Sequence, residues 1–203
     1  MKTHILYLTI LAGLLMPVFS QGNKKNWIQN HSTQRLYTAL YASYFNNNIV
    51  LVQAGYDYAV RLISFTPEYN LLDLGLGINA LSGFNQVNEE QTDNFGHIRP
   101  DYAQITPGFE LNWNARMYAP PFPVVQARIF IEGIGMSLVI YARPYPQGGT
   151  NINIGSHAGI GIEYPVKAGY AYTAIRLFHS SNGQVYENNP ALNAAGIVFG
   201  IQF

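Results

Sequence analysis

Cysteine is absent from this chain of 203 residues, which excludes a disulfide framework and any thiolate metal site. Charge is scarce as well: Asp, Glu, Lys and Arg together make up 11% and cancel to a net of zero. A partner made of nucleic acid is thereby excluded, since phosphate binding needs a basic surface. No helix-period pattern stands out beyond the N-terminus. The apolar run found there, Ile5 to Leu15, is too short for a comfortable transmembrane helix. What the chain holds in plenty is aromatic or small, with 15 Tyr, 11 Phe and 19 Gly. Low charge with many aromatics fits a chain that meets lipid through an aromatic belt.

The N-terminal run reads as a secretion signal rather than an anchor. Lys2 supplies the positive start, Ile5 to Leu15 the apolar stretch, and Val18-Phe19-Ser20 the residues before cleavage. Residues 1–20 are thus expected to be the signal peptide. Residues 21–203, starting at Gln21, form one domain.

Period two recurs along that domain. In Leu72-Asp73-Leu74-Gly75-Leu76-Gly77-Ile78-Asn79 every even position is apolar, and in Phe109 to Arg116 every odd one is. Val125, Ala127 and Ile129 continue the pattern, and the chain closes with Ile197, Phe199, Ile201 and Phe203 alternating with Val198, Gly200 and Gln202. Successive side chains of a strand point to opposite faces, so each run has one oily and one wetter side. Eight runs are expected, at roughly 35–45, 49–62, 69–82, 101–118, 123–139, 151–164, 169–181 and 192–203, long enough to span a membrane when tilted. The connections alternate between short ones, such as Ala119-Pro120-Pro121 and Pro165-Val166-Lys167, and longer polar ones, such as Asn85 to Arg99 and Arg143 to Thr150. Short periplasmic turns and longer outer loops are the habit of outer-membrane barrels. The expected fold is all-β, an eight-stranded antiparallel transmembrane β-barrel in the bacterial outer membrane.

A soluble barrel, oily inside and polar outside, is the rival architecture. The charges argue against it. The wetter faces carry Asp57 with Arg61, then Glu110, Arg116, Arg128, Glu132, Glu163 and Arg176, which suit pairing inside a narrow lumen. A soluble protein of this size wears many more Lys and Glu outside. Side chains fill a barrel this narrow, so no pore is expected.

One stretch carries chemistry: Arg176-Leu177-Phe178-His179-Ser180-Ser181-Asn182-Gly183, where the seventh run enters the last outer loop. His179 and Ser181 are two apart and share a face. A His beside a Ser is the base and nucleophile of acyl transfer. Asn182 and nearby backbone N–H groups, Gly183 among them, are candidates to stabilise an oxyanion. Arg176 belongs inside, so His179 and Ser181 point outward into lipid. On the eighth run Asn193 shares the parity of outward Ile197 and Phe199, and tight pairing of the two runs brings it near His179. A polar trio on a lipid-facing wall has little structural reason to exist. The bland reading is that His179 and Ser181 merely border a loop at headgroup level.

The last fifty or so residues resemble the outer-membrane lipid A 3-O-deacylase family (PagL type). The resemblance lies in Arg176, in His179-Ser180-Ser181-Asn182 and in Asn189-Pro190-Ala191-Leu192-Asn193. Upstream, Ser156-His157-Ala158-Gly159-Ile160-Gly161 and Phe130-Ile131-Glu132-Gly133-Ile134-Gly135 are similar to the sixth and fifth strands of that family. It implies a serine ester hydrolase acting on lipid A of lipopolysaccharide in the outer leaflet, with His179 as base, Ser181 as nucleophile and an oxyanion hole near Asn182 and Gly183. It implies no cofactor and no metal. Two positions depart from the pattern. The acidic residue that orients the His falls on Asn193, an amide, with Glu187 as the alternative third member. A Gly expected two residues after Asn182 is Gln184. The rival function is a non-catalytic structural or adhesive barrel that keeps the scaffold. Acyl position, chain length and oligomeric state are left open.

Other polar residues read as structural. His31, His97 and His157 lack metal-ligand spacing, and His157 shares the inward parity of Glu163. Glu89, Glu90 and Asp93 are calcium-ligand types, but a solvated loop is the simpler expectation. Gly159-Ile160-Gly161 is no phosphate loop, because no helix follows.

Overall fold

The computed structural model describes residues 32–44, 49–66, 69–87, 102–134, 136–146, 149–185 and 190–203. Nine strand segments account for most of them: β1 (Ser32–Ser43), β2 (Ile49–Thr66), β3 (Tyr69–Val87), β4 (Tyr102–Tyr118), β5 (Arg128–Ile134), β6 (Ser137–Tyr141), β7 (Ile152–Val166), β8 (Gly169–Ser181) and β9 (Leu192–Gln202). All pairings are antiparallel, and β1 pairs with β9 from Arg35↔Gln202 to Ser43↔Ala194, which closes the sheet. β5 and β6 both lie between β4 and β7 and follow one another along them, so they are two pieces of one stave. The result is a closed eight-stranded antiparallel barrel. The signal-peptide residues 1–20 lie outside the described residues.

Alternation along each strand decides what faces where. Leu36 and Leu40 of β1, Leu76 and Ile78 of β3, Ile175 of β8, and Ile197, Phe199 and Ile201 of β9 all point outward, with Leu76 at 72% and Phe199 at 62% exposure. An apolar exterior of this extent needs a lipid environment. It also rules out the soluble barrel, whose oily face is inside.

The wet faces meet in the lumen and satisfy one another there. At the end that holds Ser32 and Gln202, Arg35 donates to Asp73 at 2.6 Å, to Tyr118 at 3.0 Å and to Gln202 at 2.9 Å. Arg128 pairs with Glu163. Midway, Glu132 accepts from Arg116 at 2.8 Å and from Arg176 at 2.6 Å. The Arg116 guanidinium also lies over the rings of Phe130, at 4.0 Å, and Tyr172, at 4.4 Å. Toward the loop end, Glu110 accepts from Gln53 and Asn79 at 2.7 Å and from Ser137 at 2.5 Å, and meets His157 Nε2 at 2.7 Å. Above that level Tyr145, from the loop after β6, is buried against Tyr141 and against Gly83. A side chain at Gly83 would take the space of the Tyr145 ring.

Two expectations are corrected. The fifth run was expected over 123–139 with only a short turn before it. Instead β5 starts at Arg128, and nine residues, 119–127, connect it to β4. Pro120, Pro121 and Pro123 withhold N–H groups from the ladder. The chain turns with Gln126 at φ 54°, and its N–H donates to the Phe122 carbonyl at 2.8 Å. Alternation restarts there, since Ala127 and Arg128 are consecutive and both buried. The turn after β7 is tighter than expected: β7 reaches Val166, which pairs with Gly169, so only Lys167 and Ala168 form the turn.

Candidate active site

The last hairpin brings the polar trio together. β8 and β9 pair in a register that sets His179 directly opposite Asn193. Their parity matches outward Leu177 and Ile197, while Arg176, Phe178 and Ser180 are buried in the lumen. The site therefore lies on the outer wall at the loop end. His179 is exposed, whereas Ser181 and Asn193 are half-buried.

Two hydrogen bonds join the trio into a line. His179 Nδ1 lies 2.8 Å from Asn193 Oδ1. An amide oxygen only accepts, so Nδ1 carries the proton of that bond. The other ring nitrogen, Nε2, then presents a lone pair to Ser181 Oγ at 3.3 Å. The imidazole is thus held in the tautomer a general base requires.

Beyond Ser181 the chain turns sharply. The Val185 N–H donates to the Asn182 carbonyl at 3.3 Å, and Gly183 and Gln184 take φ of 65° and 62°. Left-handed backbone at both central positions makes this a type I′ turn. The Gly183 N–H points back at Ser181 Oγ from 3.4 Å. The Asn182 side chain does not share that face. It is buried, and its Oδ1 accepts from the Gln184 N–H at 2.9 Å. Donors near the serine oxygen are therefore supplied by backbone, with Gly183 foremost.

Neighbouring strands complete the surroundings. On β7, Ser156 is the register partner of His179 and Ile154 that of Ser181. On the other side, the Tyr44 N–H donates to the Asn193 carbonyl at 3.2 Å. Ser156 was not among the expected site residues. Its signal lay in the parity of the 152–166 strand, readable only with the pairing to β8 in hand. His157, one residue on, is buried against Glu110 in the lumen. Glu187, His31, His97, Glu89, Glu90 and Asp93 lie outside the described residues. Among the described residues no group of three or more His, Cys, Asp or Glu is arranged to hold a metal ion.

Comparison with known proteins bears on the fold and on the second half of the chain. Residues 102–202 match the family model described as lipid A 3-O-deacylase (PagL). The crystal structure of the outer membrane enzyme PagL superposes with a TM-score of 0.58 at 12% identity, covering 82% of this chain and 98% of that one. That likeness is one of fold. The N-terminal β-barrel domain of Pseudomonas aeruginosa OprF gives a TM-score of 0.46 at 12% identity, over 86% of this chain and 98% of that one. No curated protein sequence matches the chain. The family match takes in β4 to β9, and with them His179, Ser181 and Asn193. Over residues 102–202 this chain, an outer-membrane β-barrel, matches the lipid A 3-O-deacylase (PagL) family.

Proposed function

We propose that the protein is a serine ester hydrolase that removes an acyl chain from lipid A in the outer leaflet, with its loop end outward. The observation that carries this reading is the hydrogen-bonded line from Asn193 through His179 to Ser181 on a lipid-facing wall. Lipid solvates such groups poorly, so a polar trio there calls for a chemical use.

The chemistry follows from the protonation pattern. As Ser181 Oγ attacks the ester carbonyl, its proton passes to His179 Nε2. Asn193 Oδ1 keeps the ring oriented and receives the Nδ1–H bond throughout. Charge gathers on the former carbonyl oxygen, where the Gly183 N–H is the nearest donor for an oxyanion. Collapse expels the sugar oxygen, which takes the proton from Nε2. Water, activated by the same imidazole, then releases the fatty acid from Ser181 and restores the hydroxyl. No step calls for a cofactor or a metal.

A second reading has two observations in its favour. Position 193 holds an amide, which stabilises an imidazolium less than a carboxylate does. Gln184 also occupies a left-handed position suited to Gly. On that reading the barrel is structural or adhesive and keeps the scaffold without the activity.

Mass spectrometry of lipid A from cells making each variant separates the two. Wild type is expected to remove an acyl chain. Ser181→Ala and His179→Ala should each abolish that loss and still give a heat-modifiable, folded band. Nucleophile and base act as a unit, so the two losses should be alike; where such units are well characterised they reach roughly a million-fold. A folded wild type that leaves lipid A and synthetic ester lipids intact would defeat the hydrolase reading.

A further inference from the structure

The connection between β4 and β5, residues 119–127, is apolar where a turn facing water is polar. It reads Ala119-Pro120-Pro121-Phe122-Pro123-Val124-Val125-Gln126-Ala127, and no charged residue stands between Arg116 and Arg128. Turns in water favour Asp, Asn, Ser and Gly. The one polar side chain here is that of Gln126, and its Nε2 donates inward to the Pro123 carbonyl at 3.0 Å. At the tip Val124 is 93% exposed, with Phe122 and Val125 exposed beside it. The neighbouring turn after β7 carries Lys167 instead.

The backbone of this turn is equally sparing of free polar groups. Pro120, Pro121 and Pro123 have no N–H. The Ala119 N–H donates to the Ile129 carbonyl at 2.8 Å, that of Phe122 to Ala127 at 2.9 Å and that of Gln126 to Phe122 at 2.8 Å. A segment with so few unmet donors loses little on leaving water.

The turn also continues the lipid-facing wall. Met117, Ile131 and Ile160 are level with one another and exposed, and exposed Ile129 lies one row nearer the turn. Arg128 is level with Glu163, so Ala127, at the base of the turn, is level with outward Tyr164. Outward tyrosines mark the headgroup level of a barrel. Val124 and Val125 stand a few residues beyond it, in a headgroup layer about 5–8 Å thick on each side.

We infer that residues 119–127 form a membrane anchor, which inserts Phe122, Val124 and Val125 into the phospholipid leaflet at the end of the barrel away from His179. Lipid is the occupant because the apolar surface is continuous with the wall and carries no charge for a polar partner to meet. The inference is independent of the hydrolase reading.

The absence of cysteine makes the test direct. A nitroxide on Val124→Cys is read in the full mature barrel, reconstituted in vesicles of phosphatidylethanolamine and phosphatidylglycerol. Power saturation compares oxygen, which concentrates in lipid, with a nickel chelate, which stays in water. The label at 124 should favour oxygen, as one on Ile131→Cys does on the wall, whereas one on Lys167→Cys favours nickel. Losing one large apolar side chain shifts a partition between lipid and water by roughly tenfold or more. Phe122→Ser with Val125→Ser should therefore move the label at 124 to the nickel-accessible side. Heat-modifiable mobility checks folding of each variant. A label at 124 as open to nickel as that at 167 places the turn in water and overturns the anchor. A label shielded from both reagents overturns it too, since a second copy then covers the turn. So does a label that the two serines leave unmoved.

Discussion

Asn193 differs from a carboxylate in charge more than in geometry. Its oxygen stands 2.8 Å from His179 Nδ1, so the ring is oriented and the tautomer is set. On the hydrolase reading, what the amide lacks is a negative charge to balance the imidazolium as Ser181 loses its proton. A charge-assisted bond exceeds a neutral one by roughly 1–2 kcal/mol, which is about tenfold in rate. Asn193→Asp, the isosteric carboxylate, is therefore expected to raise kcat on an ester substrate by about tenfold. Asn193→Ala should lower it, and Glu187→Ala should leave it unchanged. If Glu187→Ala is the damaging change, the orienting role belongs to the loop. This residue scale was largely open to a reading of the sequence. His179 and Ser181 declare themselves by standing two apart, and Asn193 by sharing parity with Ile197 and Phe199. Ser156 did not declare itself. Its neighbour is set by the β7–β8 register, and a turn misplaced by one residue exchanges inward for outward.

At the scale of elements, the turn after β8 is built under a constraint that sequence spacing only hinted at. A type I′ turn asks for left-handed backbone at two positions, and Gly183 meets that at no steric cost. Gln184 does not, since its Cβ crowds the following carbonyl, at a cost of roughly 1–2 kcal/mol. Gln184→Gly is accordingly expected to stabilise the barrel by about 1 kcal/mol, less the backbone entropy that glycine adds to the unfolded chain. A urea titration of the folded band should show the midpoint rising; a fall would mean that the glutamine side chain makes compensating contacts. The stave made of β5 and β6 was the least legible element. Its apolar alternation runs on through Val125 and Ala127 as though a strand were there. The prolines before it break the ladder until Arg128, and parity changes further on, between β5, where Ile129 and Ile131 point outward, and β6, where Leu138 does. Period two reports a strand only while the backbone keeps its pairing.

For the molecule as a whole, most of the charges among the described residues lie inside. Glu132 balances two guanidiniums, those of Arg116 and Arg176, neither of which reaches solvent. Glu132→Ala leaves both without that carboxylate in a closed space, and a broken buried pair costs about 3–5 kcal/mol. The variant should lose its folded, fast-migrating band at a lower temperature than wild type. An unshifted transition would mean that Asp57 or another group takes over the pairing. The barrel itself was legible because lipid and lumen impose opposite demands on alternate residues, a contrast that survives in every intact strand. On the hydrolase reading the filled lumen also bears on how a substrate meets the trio. With the interior occupied by side chains among the described residues and His179 on the wall, a lipid substrate comes sideways, by diffusion within the leaflet. The quantity that would govern turnover is then the mole fraction of substrate among surrounding lipids, so crowding by inert lipid should slow hydrolysis as dilution slows a soluble enzyme.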